Sequence, residues 1–106
     1  MEMKKLKEFI DFEDERLSKH YGIPQDKKIL ARTVKLTEEL GELCSEVLSH
    51  SSLQRKDKLE NHDKENIDGE FADVIITAML LAKAMDIDVE KALEDKIERI
   101  SKKREV

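Results

Sequence analysis

At 106 residues the chain is long enough for one domain, residues 1–106, but for only a modest core. Charged residues make up 42% and aromatic residues 4%, with three glycines and one proline, which suits helices rich in Glu, Lys and Leu and argues against a sheet protein. A net charge of -5, with no basic face apart from the tail Lys102-Lys103-Arg104, argues against a nucleic-acid polymer as partner.

The first helix is predicted over roughly Lys4 to Lys19, with Leu6, Phe9, Ile10 and Leu17 facing inward. Tyr21-Gly22-Ile23-Pro24 ends it, because Gly releases the backbone and Pro disfavours helix in the residue before it. The second helix runs from about Asp26, the expected cap, to about Ser49. His50 to Glu65 is polar and mixed in charge and reads as a loop, with room for one helical turn around Leu53 to Leu59. The third helix starts near Asn66 or Asp68 and ends at Met85. Asp88 is the expected N-cap of the fourth, with Glu90 in its first turn and Val89, Ala92, Leu93, Ile97 and Ile100 inward.

Two short cassettes stand out on the middle helices, Glu39-Leu40-Gly41-Glu42 and Glu70-Phe71-Ala72-Asp73. Acids three residues apart share one helix face. At about 100° per residue, Leu36, Leu40, Leu43 and Val47 fall within about 60° of one another. Glu39 sits at the edge of that stripe, Glu42 and Glu46 lie further round on the same side, and Glu38 points almost the opposite way. Glu70 and Asp73 flank the stripe of Ile67, Phe71, Val74, Ala78 and Leu81. Two antiparallel helices packed along these stripes bring the four acids together. The plainer reading is a pair of amphipathic helices with solvated glutamates at their boundaries. Carboxylates beside a core are costly unless compensated, and Mg²⁺, a hard cation that takes oxygen ligands, compensates them.

Other residues constrain the setting. Cys44 is the single cysteine, so no intrachain disulfide is possible and a reducing cytoplasm is expected; on the apolar flank of its helix it reads as a small core residue. Met1-Glu2-Met3-Lys4-Lys5 leads into acidic residues without an apolar signal region, and the longest apolar stretch, Val74 to Ala82, is too short to span a membrane. Within that stretch Ile75, Ile76, Met79 and Leu80 extend the apolar surface beyond the main stripe. A helix apolar all round must be buried all round, so a second subunit is expected to cover them.

Lys35-Leu36-Thr37-Glu38-Glu39-Leu40-Gly41-Glu42-Leu43, then Glu70-Phe71-Ala72-Asp73-Val74, then Asp86-Ile87-Asp88-Val89-Glu90-Lys91-Ala92-Leu93-Glu94-Asp95-Lys96, resemble the MazG-type nucleotide pyrophosphohydrolases from about Ile29 to Lys103. The resemblance implies an all-α four-helix bundle that assembles as a homodimer or homotetramer. It implies hydrolysis of nucleoside triphosphates to monophosphate and pyrophosphate with Mg²⁺, for which Mn²⁺ can substitute, in nucleotide-pool house-cleaning. It implies that Glu39, Glu42, Glu70 and Asp73 bind the metal and that helices of more than one subunit border the site. Glu42 is the residue chosen to position or deprotonate the attacking water. Lys96 stands where the family has a lysine facing the phosphates; Lys35 and Arg32, on the acidic flank, are placed to pair with Glu39 or Glu46 or to reach phosphate. Two positions depart from the pattern: Ile100 where relatives often carry Asn or Arg, and Asp86 where Gly is usual. Alternative readings are a phosphoribosyl-ATP pyrophosphatase-like enzyme and a non-catalytic helical interaction module. A di-iron bundle is disfavoured because none of His20, His50 and His62 follows a Glu by three.

Overall fold

The computed structural model describes residues 1–51 and 64–104. They form four α-helices, α1 (Met3–Tyr21), α2 (Gln25–His50), α3 (Lys64–Ala84) and α4 (Val89–Arg104), and no strand occurs among them. The expected turn around Leu53 to Leu59 lies outside the described residues.

Local chemistry explains the boundaries. Gly22 closes α1 with φ 57°, its N–H donating to the Ser18 carbonyl at 3.0 Å. Pro24, not Asp26, is the N-cap of α2; Asp26 falls inside the first turn, where its charge complements the helix dipole. At the end of α3, Ile87 N–H donates to the Ala82 carbonyl at 2.9 Å and Asp86 N–H to that of Lys83 at 3.1 Å. This is a Schellman motif with Asp86 at its left-handed position, φ 57°, in the place where glycine carries no steric penalty. Asp88 caps α4 as expected, its Oδ1 accepting from Lys91 N–H at 3.1 Å.

Helices α2 and α3 form the main pairing, and α1 lies against α3. The pairing is antiparallel, as three cross-links show. Gln25 Nε2 donates to the Ala84 carbonyl at 2.7 Å, one of the carbonyls a helix end leaves unpaired. Seven residues on, Arg32 donates to the Leu80 carbonyl at 2.8 Å. A further two turns along, Glu39 meets Glu70 and Asp73. Ile10, Met79 and Leu80 form the core, with Leu6, Leu17, Ile76 and Val89 packed on it.

Further expectations are corrected: Phe9, expected inward, and Leu40, Val47 and Phe71, expected in the packed stripes, are exposed. Ile76, Met79 and Leu80 face α1 within the same chain and need no second subunit to cover them; Ile75 alone of that set is exposed, at 53%. Cys44 is exposed, whereas Leu43 beside it is buried. The α4 stripe of Ala92, Leu93, Ile97 and Ile100 is open to solvent, since the turn at Asp86 carries α4 off the bundle and, among its described residues, Val89 alone reaches the core. A second seam is also open on α2. Leu30, Val34, Thr37, Gly41, Cys44 and Leu48 are all exposed, and their alternating spacing of four and three places them on the side away from Glu39.

Candidate metal centre

The antiparallel pairing of α2 with α3 sets one acid cassette against the other. Glu39, Glu70 and Asp73 each offer a carboxylate oxygen, and these three atoms lie within 4.8 Å of one another. Glu39 is buried, Glu70 partly buried and Asp73 exposed, so the cluster opens to solvent on the Asp73 side. Oε2 of Glu39 and Oε2 of Glu70 are sealed from solvent and meet no hydrogen-bond donor. A buried carboxylate oxygen without a donor is costly, and two facing one another are more so. Oxygens that share an ion at about 2.1 Å lie within about 4.2 Å of one another, so Glu39, Glu70 and Asp73 are the residues that would hold a hard divalent cation here. The orphaned oxygens and the all-carboxylate donor set both fit such an ion.

Electrostatics agree. Burial holds the Glu70 carboxyl above its ordinary range, and the charges of Glu42, Asp73, Glu39 and Glu46 push the same way. Glu42 is exposed and stands outside the close trio, yet its charge acts on Glu70 more strongly than that of either other member. Glu38 faces away on the exposed side of α2. The Lys35 ammonium lies 3.3 Å from Glu39 Oε1 and 3.7 Å from Glu38 Oε2. The hydrogen bond to Glu39, then the charges of Glu39 and Glu38, raise its affinity for a proton.

Arg32 pairs with neither Glu39 nor Glu46. Its Nη1 sits 2.7 Å from Asp14 Oδ1 and donates to the Leu80 carbonyl, tying α1, α2 and α3 together in a buried position. The signal for this was its place on the same face as Leu43, where an arginine needs a partner. Lys96 lies on exposed α4, in a shallow cavity with Arg99, Ile100 and Lys103. A larger cavity of ≈ 400 Å³ opens beside the site, with walls from Leu17, Tyr21, Ile23, Arg32, Lys35 and Thr77. No periodicity of the chain pointed to it.

Fold and site define a class: an all-α protein with a carboxylate centre suited to a hard divalent cation, built on paired ExxE and ExxD cassettes. More narrowly, the chain belongs to the MazG-like family, whose model matches residues 30–106. It is 38% identical over 63 residues to the uncharacterized protein YpjD of Bacillus subtilis (strain 168), an alignment covering 59% of this chain and 55% of that protein. The aligned segment thus spans about half the length of that relative. No solved structure matches the chain. No helix among the described residues is long and apolar enough to cross a membrane.

Proposed function

We propose that this protein is a Mg²⁺-dependent nucleoside triphosphate pyrophosphohydrolase of the cytoplasm, releasing monophosphate and pyrophosphate. The observation that carries the reading is the trio Glu39, Glu70 and Asp73 with two buried, unpartnered oxygens, in a chain of the MazG-like family. Mg²⁺ or Mn²⁺, once bound, neutralises the anionic phosphates and orients them. Glu39, Glu70 and Asp73 hold the cation. Glu42, also assigned to the metal by the family resemblance, is close enough to act on Glu70 and exposed enough to hold a water, so it is the base that orients or deprotonates the nucleophile. Lys35 and Lys96 bind phosphate oxygens.

Assembly into a homodimer or homotetramer belongs to the same proposal. The open seam on α2, with Phe71 and Ile75 on α3, supplies the apolar surface for it. The exposed α4 then reaches a neighbouring subunit, which is how Lys96 comes to face phosphates. The test is a panel of ribo- and deoxyribonucleoside triphosphates incubated with Mg²⁺, with pyrophosphate and monophosphate measured separately. Equal amounts of the two are expected; orthophosphate alone, or no product from any nucleotide, overturns the reading.

A further inference from the structure

We infer that Lys35 is the resident counter-ion of the metal-free carboxylate cluster, that a divalent cation displaces it, and that the displaced ammonium is then free for the substrate's phosphates. The inference rests on the metal-dependent reading above and adds an order of loading to it. Its starting point is geometry. Glu39 is buried, and among the described residues the positive charge that meets it is the Lys35 ammonium, 3.3 Å from Oε1. That contact leaves Glu39 Oε2 and Glu70 Oε2 without a partner, so the lysine compensates the cluster only in part. A monovalent ammonium that meets one carboxylate of the trio, Glu39, is outcompeted by a divalent ion that all three can ligate.

What happens to Lys35 follows from its surroundings. Its side chain is 58% exposed, so no packing pins the ammonium where it stands. Lys35 also lines the cavity of ≈ 400 Å³ shared with Tyr21, Ile23, Lys28 and Arg32, and of its three cations it is the one paired with Glu39. Of these neighbours Arg32 cannot move to a ligand without leaving Asp14 and the Leu80 carbonyl. Lys35 is therefore the cation that can swing from the acids toward a phosphate chain held at the same site. Metal binding and phosphate binding become coupled through one side chain, each favouring the other.

The coupling makes a signed prediction for the metal alone, without nucleotide. Lys35→Met keeps the stem and removes the charge. In EDTA it melts below the wild type, because the cluster has lost its counter-ion. With saturating Mn²⁺ the two melt together, because the metal has already displaced the ammonium. Calorimetric titration at one pH shows Mn²⁺ binding Lys35→Met more tightly, by up to about fivefold, the range open to a solvent-screened ion pair. Inorganic pyrophosphate titrated into the Mn²⁺-saturated proteins then binds the variant more weakly. Lys35→Gln, with a shorter polar side chain, gives the same pattern. A variant that melts equally far below the wild type with and without Mn²⁺ identifies a merely structural ion pair and overturns the exchange. Unchanged Mn²⁺ affinity overturns it too, and equal pyrophosphate binding overturns the release. If the wild type binds no Mn²⁺ at all, the metal reading itself falls and takes the exchange with it.

Discussion

Arg32 on α2 and Asp14 on α1 form a largely buried ion pair at 2.7 Å, and the same guanidinium nitrogen holds a carbonyl of α3. One side chain thus joins three helices next to the site. Removing one partner of such a pair strands the other charge in a low-dielectric setting. Arg32→Met is expected to cost about 3–5 kcal/mol of stability. Urea denaturation measures it, and a loss below about 1 kcal/mol, the scale of a surface pair, would mean the contact is not structural.

The raised proton affinity of Glu70 predicts how the metal-free protein responds to acid. The sign is that of a carboxyl whose folded pKa lies above its unfolded one. Its ionisation opposes folding, so the penalty is present at neutral pH. It is relieved as pH falls through the folded value toward the ordinary carboxylate range. In EDTA the difference in melting temperature between Glu70→Gln and the wild type should therefore shrink on mild acidification. In Mg²⁺ the wild type should be the more stable of the two at neutral pH, since the ion needs the ionised carboxylate. An unchanged difference across pH in EDTA would contradict the assignment.

Glu42→Gln is expected to retain the fold and lose most turnover, by about 100-fold or more in kcat, because positioning and deprotonating water both need the carboxylate. Glu38→Gln, on the exposed far side of the same helix, should keep near-normal rates. Pyrophosphate release by the two purified variants decides the matter. A Glu42→Gln enzyme of ordinary speed would exclude that residue from the chemistry.

The open seam on α2 carries the expectation for assembly. Val34 is 59% exposed within the chain, so Val34→Glu is harmless to an isolated subunit and places an unpaired charge inside an interface built on this face. Light scattering is expected to show an oligomer for the wild type and a smaller species for the variant. A wild type that remains monomeric at micromolar concentration would leave the seam without a role.

Much of this arrangement was legible in the chain because it obeys helical periodicity. Four helices, the cap at Asp88 and three of the four acids on facing sides of α2 and α3 follow from spacing and local residue chemistry. Periodicity names the apolar face of a helix but not what covers it. Hence Met79 and Leu80 were expected to need a second subunit and instead lie against α1, while Ile97 and Cys44 were expected inside and lie open. The Arg32–Asp14 pair and the cavity beside Lys35 arise where three helices converge, and no single helix encodes such a meeting.

The turn at Asp86 gives α4 the mechanics of a lever. Its 16 residues extend roughly 24 Å beyond a short pivot; among the described residues Val89 and a weak contact between Lys7 and Glu90 at 3.9 Å anchor it. A rotation of about 10° at the pivot carries the far end through about 4 Å, more than a hydrogen bond's reach. The placement of Lys96 is therefore decided by whatever surface the lever comes to rest on, so small changes at Asp86 or Glu90 should be felt at a distance, as altered substrate affinity with the acid cluster left intact.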